Sequence, residues 1–188
     1  MFSATVMPVR IIRACGHSEV EEMRYRGLQD KSNQQHHARK CFCKECSVLI
    51  EEWMALGSAA PSYPVELPAL VGSEKTIKWA SSLRRDQLKV LLPAMAAAAE
   101  HGDKIGAAVW QALYVLTTQQ YAKFWIDNRE QGFNHHYVST EASYFAMGAT
   151  YGSVFSDRSV FGRLKARAPY LLDEVKRLCP VGMASAHA

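Results

Sequence analysis

Four cysteines and a histidine lie close together near the start of the sequence. Cys15 and His17 form a CxH pair, and Cys43 and Cys46 form a CxxC pair about 25 residues later. Zinc in structural sites prefers a closed tetrahedral shell of thiolates and imidazole, and a CxxC turn presents two sulfurs to one ion. The two pairs predict one structural Zn²⁺ held by these four side chains. A shell of four protein ligands has no position for water or substrate, so this site is expected to stabilise the fold and not to catalyse.

Cys41 leaves the exact ligand set open. The run CFCKEC at 41–46 offers two alternative pairs, so Cys41 can replace Cys43 or His17 in the shell. A second alternative is that the cysteines are free thiols and that His17 is a solvated turn residue. Redox chemistry is disfavoured, because a thioredoxin-like CxxC needs a βαβ context that the sequence does not show.

No other group of polar residues carries a recognisable chemical signature. His135 and His136 are adjacent in a predicted loop, where two neighbouring rings rarely reach one ion, and His36 and His37 are interpreted in the same way. The motifs GxxxxGK[ST], GxGxxG, HExxH and GxSxG are missing. We therefore expect a protein that is not an enzyme, although a missing motif does not exclude one.

The segments on either side of the cysteines predict a small module at residues 1–56. VMPVRIIRAC and SEVEEMRYRG favour a β-hairpin with CGH at its tip, and LQDKSNQQHHARK and ECSVLIEEWMAL favour two short helices around CFCKEC. A module of this size buries little apolar surface, so a bound metal would supply stability that it lacks.

Three prolines mark the predicted boundary between this module and the rest of the chain. Pro61, Pro64 and Pro68 lack backbone donors and favour extended conformations, which predicts a linker at 57–72. Beyond it we expect a helical domain at 73–180 and a flexible tail at 181–188. The predicted fold is mostly α: a zinc-stabilised hairpin/helix module followed by about four to five helices.

Capping and breaking residues set the expected helix boundaries in this domain. Ser73 is expected to cap the first helix, Pro93 to break or kink it, and a second helix to run from near Asp103 to about Arg129. The remaining expected signals are a cap at Ser139 or Thr140, a cap at Ser156, and a last helix from Pro169 to about Leu178. The candidate core positions are Ile77, Ala80, Leu83, Val90, Leu91, Ile105, Val109, Ala112, Leu113 and Leu116.

Several of these motifs, taken in order, resemble a group of small proteins common in phages, plasmids and bacterial genomes. The shared features are CGH followed by CxxC, a block GSxKQxxWAxxIR matched at 72–84, and a block AKxWIDxR matched at 122–129. The chain departs from the pattern at Thr76, at Leu83 and in the additional Cys41. The resemblance implies that Cys15, Cys43 and Cys46, with His17 next, bind metal. It implies no activity.

Composition permits a polyanionic partner without requiring one. The chain has 188 residues, a formal net charge of +4 and a pI near 8.8, with no block of five or six like charges. Arg10 and Arg13 interrupt the first apolar run, which argues against a secretion signal, and polar residues interrupt the longest apolar stretch, which argues against a membrane span. We expect a cytoplasmic protein with reduced thiols and no membrane contact.

Two functions fit these observations. The first is a non-enzymatic binding protein that contacts nucleic acid through basic and aromatic side chains. The candidate contacts are Arg24, Arg26, Arg39, Lys40, Lys75, Trp79, Arg84, Arg85, Trp125 and Arg129. The second is an adaptor or inhibitor that binds a host or phage protein, including a host-defence protein. The resemblance implies this function, because small proteins of mobile elements often bind other proteins.

Two of the candidate contacts have a purely structural alternative. Trp79 and Trp125 lie at helical positions, where tryptophan commonly anchors one helix against another. Asp127 and Arg129 can join Arg84 or Lys75 in a structural ion-pair network.

Overall fold

The computed structural model describes residues 4–130, 132–148 and 159–180. It begins with an antiparallel pair of strands, β1 (Thr5–Ile12) and β2 (Ser18–Tyr25), in which Thr5 lies opposite Tyr25 and Ile12 opposite Ser18. The helices that follow within these ranges are α1 (Leu28–Arg39), α2 (Lys44–Ala55), α3 (Glu74–His101), α4 (Lys104–Thr117), α5 (Ala122–Asp127), α6 (His135–Met147), α7 (Val160–Arg167) and α8 (Pro169–Leu178). The predicted hairpin, the two short helices and the mostly α fold class are confirmed.

Arg13 fastens the hairpin to α1. Its guanidinium donates to the carboxylates of Glu19 at 2.7 Å and Glu21 at 2.8 Å, and to the carbonyl of Ala38 at 2.9 Å. A small apolar cluster of Ile11, Met23 and Ala38 lies beneath these contacts. The hairpin therefore packs on α1 through its own small cluster and through charge-assisted hydrogen bonds.

The first long helix, α3, begins as predicted but does not end at Pro93. The Ser73 side chain accepts a hydrogen bond from the Thr76 N–H. The helix continues to His101 and ends at Gly102, whose backbone adopts the left-handed conformation. Pro93 is fully buried in the core. The prediction of a break was wrong because tertiary packing of the alanine-rich turns beyond Pro93 outweighs the lost helical hydrogen bond, a penalty of about 3 kcal/mol.

A glycine brings α3 and α4 into close contact. A Cβ atom at Gly106 would lie 2.3 Å from the backbone oxygen of Ala98, a distance that no side chain tolerates. The cap at Asp103 is confirmed, since its carboxylate accepts from the N–H groups of Ile105 and Gly106 at 2.8 Å each. The five predicted core positions of α4 are buried, and on α3 Ala80 and Leu91 are buried while Ile77, Leu83 and Val90 are half-buried.

The predicted second helix is split into α4 and α5. The N–H of Val71 donates to Gln120 at 2.7 Å and the N–H of Ala122 donates to Val71 at 3.0 Å, so the end of the linker pairs with the chain at 120–122. This pairing replaces the helical hydrogen bonds that a continuous helix to Arg129 would need. With the split, six helices follow the linker within the described ranges.

The later helices agree in part with the predicted caps. Asn134, not Ser139 or Thr140, caps α6, so His135 and His136 lie in its first helical turn and not in a loop. Ser159 caps α7, and Pro169 begins α8, which ends at Leu178 as predicted. The predicted cap Ser156 and the predicted tail 181–188 fall outside the described residues.

The linker lies against the helices. The Tyr63 ring packs edge-on to Trp110 at 5.6 Å between centroids, and the Tyr63 N–H donates to the carbonyl of Leu92. One apolar cluster runs from the cysteine-bearing turns through α2 into α3, α4 and α6. The division at 57–72 stays a prediction. Among the described helices, none combines the length and the apolar character that crossing a membrane requires.

Candidate metal centre

The hairpin tip and the start of α2 bring together Cys15, His17, Cys43 and Cys46. One potential ligand atom from each residue lies within 4.8 Å of all the others. The N–H of Ala14 donates to the carbonyl of Cys41 at 3.0 Å, which joins the tip to the CxxC turn. The four residues predicted from spacing are therefore placed to hold one metal ion.

Two of the distances within the group match those of a tetrahedral shell. His17 Nδ1 lies 3.4 Å from Cys43 Sγ and 3.3 Å from Cys46 Sγ. Around a zinc ion with bonds of about 2.3 Å to sulfur and about 2.0 Å to nitrogen, neighbouring ligand atoms are separated by roughly 3.5 Å. The cysteines are buried and His17 is exposed, so the imidazole forms the solvent side of the group.

Backbone amides surround the sulfurs. The Cys43 N–H donates to Cys15 Sγ at 3.5 Å, and the Cys46 N–H donates to Cys43 Sγ at 3.4 Å as part of the cap of α2. Such donors stabilise negative charge on sulfur, and the N-terminal end of a helix adds to this effect. The turn is therefore built to hold thiolates.

Without a metal, however, burial acts against the thiolate form of Cys46. Burial raises the pKa of the Cys46 thiol, and the neighbouring Cys43 and Cys15 raise it further. A bound dication would reverse this balance, since it neutralises the thiolates that burial and mutual repulsion penalise. All five cysteines lie in the described ranges and none forms a disulfide.

Cys41 is not a member of this group. Its Sγ lies 4.0 Å from His37 Nε2 and 3.6 Å from the His37 carbonyl, on the other side of the CFCKEC turn. Burial raises the pKa of the Cys41 thiol, with Glu21 adding to the rise. The alternative in which Cys41 replaces Cys43 or His17 is therefore not the arrangement that the structure has.

Glu19 connects the group to the hairpin. Its carboxylate accepts from the N–H of Lys44 at 2.9 Å while it also pairs with Arg13. The hydrogen bond from Lys44 lowers the pKa of this carboxyl. The first turn of α2 is thus held to the hairpin by a charged side chain as well as by any shared ion.

The two tryptophan blocks contact each other across α3 and α5. The Arg84 guanidinium lies 5.9 Å from the Trp125 ring centre, and the Arg129 guanidinium lies 5.5 Å from that of Trp79. Trp125 and Arg84 are buried, whereas Trp79 is 49% exposed. Trp125 and Arg84 therefore lie in the packed interior, and Trp79 is the exposed aromatic residue of the two blocks.

Arg84 is an unusual buried cation. It donates to the Pro68 carbonyl at 2.8 Å, while its Nε and Nη2 have no hydrogen-bond partner among the described residues. Burial lowers the pKa of this guanidinium. The expected ion pairs with Asp127 and Arg129 are not formed: Asp127 pairs with Lys123, and Arg129 pairs with Glu130.

The other basic candidates lie on several parts of the surface. Arg24 and Arg26 are at the open end of the hairpin, and Arg39 and Lys40 are at the end of α1. Lys75, Arg85 and Arg129 are exposed on or near α3 and α5, and Arg85 approaches Asp86 at 4.0 Å.

Two basic residues that the sequence did not single out complete a cationic cavity. Arg10 and Lys104 line a cavity of about 590 Å³ together with Arg39, between the hairpin, α1 and the ends of α4 and α6. Among the described residues, no acidic side chain lines it. A fourth lining cation, Arg13, is paired with Glu19 and Glu21, whereas Arg10, Arg39 and Lys104 form no ion pair within the described part of the chain. Strand alternation indicates that Arg10 faces outward, but no local pattern places Lys104 beside it.

The chain matches no protein-family model, and comparison with curated proteins and with solved structures gave no match either.

Proposed function

We propose that this protein binds nucleic acid and that a structural zinc ion holds its binding surface together. The observation that carries the proposal is the cavity lined by Arg10, Arg39 and Lys104, which has no acidic lining residue among those that the structure describes. Uncompensated cations in a concave site attract phosphates strongly, because the site concentrates their field. Phosphate contacts supply most of the affinity of sequence-independent nucleic-acid binding.

The donor set supports zinc as the metal. Three thiolates and one imidazole in a closed group are typical of structural zinc sites, and hard cations such as Mg²⁺ prefer oxygen ligands. Gly16 lies between Cys15 and His17 and also lines the cationic cavity. Metal binding would therefore fix the backbone at one wall of the proposed phosphate site.

The salt dependence of binding tests this proposal. Fluorescence anisotropy with labelled oligonucleotides should show affinity falling steeply as salt rises, because each phosphate contact releases condensed counterions. Arg10→Ala and Lys104→Ala should each reduce the slope of log K against log salt by about 1. Lys176→Ala is the matched control, since it removes an exposed cation of α8 that lies near Asp173. Absence of binding at low salt would refute the proposal.

An adaptor function has its own supporting observation. Val71, Trp79 and Tyr121 are about half exposed or more, and Val71 bridges to Tyr121 at the junction of linker and α5. Exposed aromatic residues are common anchors of protein interfaces. If this function holds, Trp79→Ser and Tyr121→Ser should abolish co-purification of a defined partner from a natural host, while Arg10→Ala should not.

The resemblance to proteins of mobile elements is compatible with both functions. It rests on the order of CGH, CxxC and the two tryptophan blocks, and it stays a prediction. An enzymatic activity ranks behind both proposals.

A further inference from the structure

A second cavity lies near the end of α1, where Lys40 is one of its lining residues. It has a volume of about 420 Å³. It lies between the first three turns of α6 on one side and the CFCKEC turn with the start of α2 on the other. Its size falls within the range of about 300–1,000 Å³ that is usual for small-ligand sites. Neither the metal group nor the proposed phosphate site uses it.

The lining of this cavity combines flat rings with hydrogen-bonding groups. The rings come from Phe42, Tyr144 and three histidines, and the rings of His135 and His136 lie 4.0 Å apart. The hydroxyl-bearing residues of the lining are Ser47, Ser139, Thr140, Ser143 and Tyr144. Flat rings with hydroxyls around them suit a planar heterocycle that carries donors and acceptors on its edge.

The charges at the cavity favour an anionic ligand. Lys40 and Lys44 line it, and Glu51 is its one acidic lining residue. Neither lysine side chain forms an ion pair in the described ranges. A ligand that brings phosphate as well as a planar ring would match both features of the lining.

The two cavities lie next to each other along the same elements. Arg39 lines the first and Lys40 the second, and along α6 Tyr144 lines the second while Ala146 lines the first. The two cavities thus have lining residues that are neighbours in sequence, both at the end of α1 and along α6. A nucleobase in a duplex could enter such a pocket only after unpairing and unstacking.

From this arrangement we infer that the second cavity receives an unpaired nucleobase of a single strand whose phosphates lie on Arg10, Arg39 and Lys104. This inference rests on the proposed nucleic-acid function and specifies its substrate class. The pocket supplies stacking and edge contacts, whereas the cations supply sequence-independent attraction.

Three labelled ligands test the inference: a single-stranded oligonucleotide, the blunt-ended duplex that this strand forms with its complement, and a strand of equal length with abasic sites. The protein should bind the intact single strand at least about tenfold more tightly than the other two, because only that strand offers a free base. Equal affinity for all three ligands, with steep salt dependence retained, would overturn the inference that the second cavity receives a base. The proposed nucleic-acid function would still stand. No binding to any of them would refute the proposed function itself.

Variants locate the effect in the cavity. Ser139→Trp should fill it and reduce single-strand affinity by about tenfold while leaving duplex affinity unchanged, and Ser58→Trp in the exposed linker should change neither. His136→Ala removes an exposed ring and serves as a second variant in case the larger side chain disturbs folding, which circular dichroism would reveal. A folded His136→Ala or Ser139→Trp protein that keeps the full single-strand preference would contradict the inference.

Discussion

His17 is the exposed member of a group whose other three members are buried cysteines. Its Nδ1 faces two sulfurs at 3.3 Å and 3.4 Å, so the imidazole completes the shell from the solvent side. Loss of this ligand would leave three thiolates open to water, which weakens metal binding and destabilises a turn built for four ligands.

His17→Ala should therefore lower metal affinity by more than about tenfold, because even loss of an outer-shell partner commonly costs 10–100-fold. His17→Cys should retain the metal, since a thiolate is an equivalent zinc ligand. Competition with a chromogenic chelator measures both affinities. Cys41→Ser is the control and should bind like the parent protein; a Cys41→Ser protein that loses its metal would show that the ligand set is wrong.

Glu141 is a second residue with a specific role, and no sequence signal pointed to it. Its carboxylate is buried on α6 and accepts from the N–H groups of Val160 and Phe161 at 2.8 Å and 2.9 Å, which caps the start of α7. Tyr137 and Arg163 are the titratable and charged side chains that act on it electrostatically. Burial raises the pKa of this carboxyl more than the two hydrogen bonds lower it.

This rise in pKa predicts a pH-dependent difference between the protein and its Glu141→Gln variant. The folded state holds the proton up to a higher pH than the unfolded state, so this contribution to stability is complete below about pH 4.3 and is lost as pH rises through the folded pKa. The free energy of unfolding of the parent minus that of the variant should therefore fall as pH rises from about 4 to neutrality. Urea titrations at several pH values measure this difference, and a rising difference would contradict the assignment.

At the scale of elements, the contact between α3 and α4 depends on one missing side chain. Gly106→Ala should destabilise the protein by about 1–3 kcal/mol, because its Cβ would overlap the Ala98 carbonyl and push the two helices apart. The higher helix propensity of alanine offsets at most about 1 kcal/mol of this cost. Chemical denaturation measures the change, and a variant as stable as the parent would mean that α3 and α4 can separate without loss.

Element boundaries were predictable where a local side chain sets them. Ser73, Asp103 and Pro169 begin helices as their chemistry indicates, because a cap is satisfied within three residues of itself. The break between α4 and α5 was not predictable, since it depends on hydrogen bonds between Val71 and residues 120–122, about 50 positions away. Pro93 is the reverse case. Its missing N–H predicts a break in the helix, and packing in the core keeps the helix continuous.

The candidate site shows the same distinction. The metal group followed from residue types and spacing, because few side chains bind zinc and a turn fixes their separation. The cationic cavity did not, since Arg10, Arg39 and Lys104 meet only after the hairpin, α1 and α4 pack together. Trp79 and Trp125 have similar motif contexts, yet one is exposed and the other buried.

For the whole molecule, the metal group is continuous with the main core. Cys15, Cys43 and Cys46 belong to the same apolar cluster as Ile50 and Trp53 of α2 and the buried residues of α3 and α4. The metal should therefore stabilise more than the hairpin.

Removal of the metal by a chelator should lower the melting temperature of the whole chain in one transition. Tryptophan fluorescence reports on Trp53, Trp110 and Trp125 in the core that the cysteines share and on the exposed Trp79, and circular dichroism reports on the helices. The melting temperatures measured by the two probes should fall together, because a bound ligand stabilises every part of the chain that unfolds cooperatively with its site. A shift confined to one probe would indicate that the hairpin end unfolds by itself.

The central claim is that Cys15, His17, Cys43 and Cys46 hold one zinc ion in a closed shell. Elemental analysis combined with X-ray absorption at the zinc edge tests it most directly. We predict about one zinc per chain, with three sulfur ligands at about 2.3 Å and one nitrogen ligand at about 2.0–2.1 Å. Folded protein without metal, or a shell containing four sulfurs or a water oxygen, would contradict the claim.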